Sequence, residues 1–266
     1  MVKTVIMKFG GASVATPERF NQLAELIVKR RKETDRLVIV VSAMHGATTS
    51  FADLAYRVNP SPPQREYDML VSVGERISIS LLAMALARLN CHAVSFTGSQ
   101  SGIMTCPNHS YASIVDVRPR RIVSALENGQ IAIVAGFQGV SLHGEITTLG
   151  RGGSDTTAVA LGVALGAQYV EFYKDVPGVF SEDPKVHPGA QWLPQLTYEE
   201  AQAIVDQGAG ILHPRCIRLA AKNELPLIVR SFHPDEQRKT VIGPGSNERY
   251  ALPVFEAVES VKCPTR

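Results

Sequence analysis

Thr147-Thr148-Leu149-Gly150-Arg151-Gly152-Gly153-Ser154-Asp155-Thr156-Thr157-Ala158 is the stretch on which the reading of this chain turns. A double glycine stands between an arginine and a Ser-Asp pair, and residues 158–165 continue it as small and apolar side chains suited to a buried helix. The first N–H groups of a helix have no partner within it, so a helix N-terminus is a ready anion site. Glycines let a charged ligand come close to such a backbone. Arg151 adds a planar guanidinium matched to a carboxylate or phosphate. Alone, the same residues also describe a plain strand-to-helix turn.

A second glycine pair lies near the start of the chain. The apolar, β-rich run 2–9 delivers Lys8 into Gly10-Gly11, and a helical pattern follows at 17–32 with Pro17 in its first turn. Strand, lysine, glycine pair and helix is the layout of a loop that cradles phosphate. The chain has no Gly-Lys-Ser/Thr, so the loop is not of the Walker type, and no Gly-x-Gly-x-x-Gly, which disfavours a dinucleotide fold. Lys8 by itself also reads as a solvated charge at a strand end.

Around these loops the chain alternates strand and helix patterns. Strands are expected at 4–9, 37–42, 92–97, 131–136, 169–173 and 227–230, and helices at 17–32, 49–58, 65–89, 119–128, 155–166, 198–207 and 214–223. That alternation implies an α/β fold with a mainly parallel sheet covered by helices on both faces. Residues 59–63 read as a Pro-rich loop, 136–150 as a β-hairpin over the sheet, and 243–247 as a domain edge. The expected organisation is one domain over 1–245, with a tail or final strand at 246–266. A length of 266 residues suits one sizeable core, and a formal charge of +2 gives no special attraction to nucleic acid or membrane. Cys91, Cys106, Cys216 and Cys263 form no Cys-x-x-Cys pair, which favours reduced thiols in a cytoplasmic protein over a disulfide frame or zinc site. No metal-ligand cluster is expected, no apolar run is expected to reach the ~20 residues that span a bilayer, and the N-terminus lacks a signal-peptide core.

Taken together, the motifs resemble the amino acid kinase family, and within it the aspartokinases. The resemblance rests on Lys8-Phe9-Gly10-Gly11-Ala12-Ser13, Val40-Val41-Ser42-Ala43-Met44, Gly74-Glu75-Arg76-Ile77-Ser78, Ser95-Phe96-Thr97-Gly98-Ser99-Gln100 and 148–157. Asp175-Val176-Pro177-Gly178-Val179-Phe180, Asp183-Pro184 and Leu212-His213-Pro214 complete it, in order, from residue 3 to about 245. It implies the family's three-layer sandwich, with an amino-acid-binding lobe at about 1–166 and a nucleotide-binding lobe at about 167–245. The implied reaction is transfer of the γ-phosphoryl of ATP, with Mg2+, to the side-chain carboxylate of L-aspartate, the first step of aspartate-derived (lysine) amino-acid biosynthesis.

Residue by residue, the resemblance makes Lys8 and Asp155 catalytic, with Asp155 orienting Lys8 or sitting near the metal through water. Arg151 would meet the substrate's α-carboxylate and Glu75 its ammonium, with Ser42, Thr48, Gly152, Gly153 and Ser154 lining the same pocket. Lys8, Phe9, Gly10, Gly11, Ser154, Lys174, Asp175, Phe180, Lys185, Gly210 and Ile211 would hold ATP. His213-Pro214 reads as a helix start, and any homodimer is expected to form through the kinase domain itself.

The chain departs from the family pattern in three places. Lys174-Asp175 stands where Ser/Thr-Asp is usual, and Gly208-Ala209-Gly210 where the family often has a phosphate-binding lysine in the last position. Lys174 is a candidate substitute for that lysine, and Gly210 either leaves room for a cation or holds a positive φ that only glycine tolerates. Third, the chain ends where two small ACT-type sensing domains usually begin, as a catalytic fragment or a stand-alone kinase would. A kinase for another small amino-acid carboxylate, and a non-catalytic sensing subunit keeping the fold, remain as alternatives.

Overall fold

The computed structural model describes residues 2–244 apart from 183, 185, 188 and 234. Lys185, Cys263 and the expected tail at 246–266 lie outside the described residues. In order the elements are β1 (Thr4–Phe9), α1 (Pro17–Arg31), β2 (Arg36–Val41), α2 (Ala47–Val58), α3 (Gln64–Val71), α4 (Val73–Arg88), β3 (Ala93–Phe96), β4 (Ile103–Thr105) and β5 (Ile114–Val117). They continue as α5 (Arg120–Glu127), β6 (Ile131–Ala135), β7 (Gln138–Ser141), β8 (Ile146–Thr148), α6 (Gly153–Ala164), β9 (Tyr169–Lys174), β10 (Val179–Phe180) and β11 (Trp192–Leu193). The last are β12 (Gln195–Thr197), α7 (Tyr198–Asp206), α8 (Pro214–Lys222), β13 (Leu227–Ser231) and β14 (Lys239–Gly243).

Eight strands make one sheet in the order β12-β14-β13-β9-β1-β2-β6-β3. Only the β13–β14 pairing in it is antiparallel. The central strands are buried on both faces, which is why β1 and β2 read as near-continuous apolar runs rather than alternating ones. Side-chain parity divides the core in two. Val5, Met7 and Phe9 pack on one face with Phe20, Leu23 and Ile27 of α1 and Leu82 of α4. Ile6, Val170 and Phe172 pack on the other with Val159 and Leu161 of α6 and Ile217 of α8. Lys8 and Lys174 share the parity of Ile6 and Phe172, so both ammonium groups belong to the α6 face, at the carboxyl ends of β1 and β9.

A second sheet, β5-β4-β7-β8, carries the expected hairpin (β7 antiparallel to β8) together with two short strands that the sequence reading missed. The wholly buried carboxylate of Asp68 ties this sheet to α3. Asp68 Oδ2 accepts the backbone N–H groups of Thr148 and Ser110, both at 3.0 Å, and Oδ1 accepts the Thr148 hydroxyl at 2.7 Å. His109 Nδ1 lies 2.9 Å from Oδ2. Replacing Asp68 by alanine strands the buried Thr148 N–H and the half-buried Ser110 N–H and is expected to cost about 3 kcal/mol, read as a lower urea midpoint at unchanged slope.

Two expectations need correction. The single helix at 65–89 is broken at Ser72 into α3 and α4. There the Ser72 carbonyl accepts the buried Gln138 amide at 2.8 Å, and Gly74 sits so close to Ala43 that an added Cβ would come within 2.6 Å of the alanine methyl. Within the helical stretch Gln64–Arg88 an 18-residue window has a mean hydropathy of 1.6, apolar enough by length and composition to cross a membrane, contrary to the expectation that no run comes near that length. Half of that window is buried inside the domain, and α4 packs on α1 and β6 as a core helix does.

Candidate active site

β1, α4 and the start of α6 converge on a cavity of about 320 Å³. It is lined by Lys8, Gly11, Ser42, Thr48, Glu75 and the run Arg151-Gly152-Gly153-Ser154-Asp155, which brings together every residue assigned to the acceptor pocket. α6 begins at Gly153, two residues earlier than the 155–166 expectation, on a Gly152 cap at φ 72°. An added Cβ at Gly152 would fall 2.1 Å from the His213 ring, so both the backbone angle and the space require glycine. His213 itself caps α8, its Nδ1 accepting the Arg215 N–H at 3.3 Å. Arg215 donates to the carbonyls of Leu149 and Ala112, both at 2.7 Å, and steadies the approach to the loop.

Inside the cavity, Lys8 Nζ lies 2.5 Å from Asp155 Oδ1, and both side chains are buried. Lys174 Nζ reaches the other oxygen, Oδ2, at 3.9 Å. Burial alone raises the Asp155 carboxyl, but Lys8 and Lys174 outweigh it and hold the group below the usual carboxylate range. Burial likewise pulls the Lys174 ammonium below the ordinary lysine range, against the attraction of Asp155.

Glu75, in the first turn of α4, is 2 % exposed. Its Oε1 accepts the Ala43 N–H at 2.9 Å, while Oε2 has no hydrogen-bond partner. Burial pushes its carboxyl up to about 7, despite the Ala43 N–H and the nearby Lys8 charge. A buried acceptor oxygen left open beside a cavity is suited to a cationic ligand group. Arg151 is exposed on the rim of the same cavity.

A second cavity, of about 470 Å³, gathers Lys174, Asp175, Phe180, Gly210 and Ile211 with apolar wall residues Val176 and Ile204. Gly210 is not among the positive-φ residues, and an added Cβ there meets nothing within 4 Å. The left-handed residue of that loop is Gly208, at φ 103°. Gly210 thus leaves open space beside a candidate phosphate path. Under the ATP assignment that the resemblance implies, Gly210→Lys is expected to tighten nucleotide binding roughly tenfold, the worth of a hydrogen bond to a charged group, with the melting temperature unchanged.

Not every assigned residue reaches a cavity with its side chain. Phe9 is wholly buried and stacks on Tyr173 with centroids 4.8 Å apart, so its ring belongs to the core and only its backbone remains for a ligand. Gly10 lines neither cavity but adjoins Lys8, an added Cβ lying 3.6 Å from Nζ. His45 and Phe137 line the acceptor cavity and were missed. A lone histidine and a non-glycine residue at φ 67° leave no mark in a sequence.

A mainly parallel sheet with two cavities at its carboxyl edge, joined by a lysine–aspartate–lysine cluster, defines an α/β protein whose candidate site is rich in cations and glycine loops. The chain belongs to the amino acid kinase family, whose sequence model matches residues 3–231. Its similarity to curated relatives is to aspartokinases. It is 49% identical over 240 residues to that of Mycobacterium tuberculosis (strain ATCC 25618 / H37Rv), covering 90% of this chain and 57% of the relative. It is 46% identical over 255 residues to that of Corynebacterium glutamicum, covering 96% and 60%. The chain therefore spans somewhat over half the length of these relatives. Among solved structures, aspartate kinase from Synechocystis superposes with a TM-score of 0.80 at 42% identity, over 92% of this chain and 41% of that one. E. coli aspartokinase III in complex with aspartate and ADP superposes at 0.82 with 24% identity over 92% and 65%, a likeness of fold.

Proposed function

We propose that this chain transfers the γ-phosphoryl group of ATP to the side-chain carboxylate of L-aspartate, giving 4-phospho-L-aspartate and ADP. The observation that carries the reading is the open Oε2 of buried Glu75 in the same cavity as Arg151 and the Lys8–Asp155 pair. An α-amino acid presents one cation and one anion at its α-carbon, and Glu75 and Arg151 answer both. Its side-chain carboxylate then faces Lys8 and the N-terminus of α6. The relatives' names, and aspartate with ADP in the E. coli enzyme, support the same acceptor and nucleotide.

The chemistry asks for no general base. The acceptor carboxylate is ionised at neutral pH and is itself the nucleophile. One of its oxygens bonds to the γ-phosphorus, the bond from that phosphorus to the β,γ-bridging oxygen breaks, and ADP departs with the electron pair. The difficulty is bringing two anions together, so catalysis falls on positioning and charge neutralisation. Lys8 would sit where the two anions meet, and the N–H groups of Gly11 and Gly152 are available to phosphoryl oxygens, whereas that of Gly153 donates to the Gly150 carbonyl at 3.0 Å. Among the described residues no group of three His, Cys, Asp or Glu side chains is arranged to hold a metal. Mg2+ would then be carried mainly by the nucleotide's phosphates and water, and Asp175, which lines the second cavity, would help to hold the ion where it offsets phosphate charge.

A coupled assay of ADP release over a panel of carboxylic amino acids tests the reading, with aspartate expected to stand well above the rest. Release that no amino acid stimulates would refute it. In the same assay Arg151→Ala is expected to raise the aspartate KM at least tenfold while leaving the KM for ATP within about twofold, since loss of a charge-assisted hydrogen bond costs about 1.5–3 kcal/mol.

A further inference from the structure

We propose that Lys174 is a second catalytic lysine that stabilises the departing diphosphate of ADP, while Lys8 serves the acceptor side and Asp155 holds the two ammonium groups at a fixed spacing. The inference rests on the phosphoryl-transfer reading above and adds a division of labour within it.

The geometry begins with strand parity. Lys174 ends β9 on the same face as Phe172, and Lys8 lies near the end of β1 on the face of Ile6, so both reach the first turn of α6. Asp155 Oδ1 is 2.5 Å from Lys8 Nζ and Oδ2 is 3.9 Å from Lys174 Nζ. Side-chain exposure is 6 % for Lys8, 9 % for Asp155 and 19 % for Lys174. At ion-pair distance the two ammonium groups share the carboxylate of Asp155, and Asp175 and Glu75 also act on them. Burial of these cations favours a ligand that brings a further anion to the cluster.

The two lysines open on different sides. Lys8 and Asp155 line the acceptor cavity, whereas Lys174 lines the nucleotide cavity. Among the described residues lining that second cavity, Lys174 is the one lysine or arginine, and Gly210 offers no side chain. During transfer the bond from the γ-phosphorus to the bridging oxygen breaks, and negative charge grows on the β-phosphate, on the nucleotide side. The new bond forms on the acceptor side. Charge changes at two places, and the cluster presents one cation to each.

Lys174→Met removes the charge and keeps most of the stem. It is expected to lower kcat for aspartate phosphorylation by about 100-fold, the effect of losing one preorganised electrostatic donor. By calorimetry, with no turnover involved, it is expected to weaken ADP binding at least tenfold and leave aspartate binding within twofold. The double variant Lys174→Met/Gly210→Lys, which returns a cation to the same cavity at an open position, is expected to recover at least tenfold in ADP affinity. Where the methionine variant melts early, Lys174→Thr, a residue suited to a strand end, repeats the comparison. An ADP affinity unchanged in a variant that melts with the parent, or a kcat within threefold of it, overturns the proposal. If the parent phosphorylates no amino acid, the functional reading falls, and the ADP titration still decides whether Lys174 faces the diphosphate.

Discussion

Lys8→Ala is expected to lower kcat by about 10²–10³ with little effect on the fold. The magnitude is that of removing one preorganised donor from a water-poor site, about 2.7–4 kcal/mol of transition-state stabilisation. Lys8 is buried at the carboxyl end of the central strand, 2.5 Å from Asp155, so its ammonium needs no reorganisation when charge develops nearby. The truncation leaves Asp155 with Lys174 at 3.9 Å as its remaining cation, so the variant keeps a partner for the buried carboxylate. A steady-state comparison with a parallel thermal melt separates the two effects. Near-normal kcat in a folded variant would make the Gly10-Gly11 loop a structural turn.

Glu75→Gln is expected to raise the aspartate KM roughly 100-fold and leave that for ATP nearly unchanged, because it removes one partner of a desolvated charge pair. The amide keeps an oxygen for the Ala43 N–H but no negative charge for an ammonium. The same residue sets a pH dependence. Its carboxyl titrates at about 7 in the folded protein, against an ordinary value of 4.5. The folded state therefore holds the proton more tightly than the unfolded chain, and as pH rises from about 4.5 to 7 Glu75 contributes progressively less to stability. Above that window the ionised, unpaired carboxylate opposes folding, and Glu75→Gln is expected to be the more stable protein at pH 8 in the absence of ligand. Aspartate needs the ionised form, so its affinity is expected to fall as pH drops below 7 in the parent and to stay flat in the variant. Calorimetry in buffers of different ionisation enthalpy should show proton release on binding near pH 6.5.

Much of this site was legible because backbone constraints fix it. The apolar run ending in Gly10-Gly11 marks the carboxyl end of a buried parallel strand, and side-chain alternation along β1 fixes the face on which Lys8 lies. The acceptor residues from Ser42 to Asp155 and the nucleotide-side residues from Lys174 to Ile211 fall into two cavities because they sit at strand ends, loops and helix first turns on that one edge. Other features depend on contacts far apart in sequence. The apolar pattern runs straight through Ser72, and only the buried Gln138 amide and the tight Gly74–Ala43 approach explain a break there. α6 starts at Gly153 rather than Asp155, tertiary packing overriding the poor helix propensity of glycine. β4 and β5 are three and four residues long, too short for periodicity to register. Asp68 looks in sequence like any surface carboxylate of a helix, and its role rests on partners about 40 and 80 residues away.

The most direct measurement of the central claim is to trap the product. An acyl phosphate reacts with hydroxylamine to give a hydroxamate, so incubation with ATP, Mg2+, hydroxylamine and L-aspartate should yield aspartyl β-hydroxamate, identified by mass, in step with ADP. L-glutamate, one methylene longer, pushes its side-chain carboxylate past the position that Glu75 and Arg151 define and should give little product. Equal rates on the two acids, or ADP formed with no hydroxamate, would contradict the account.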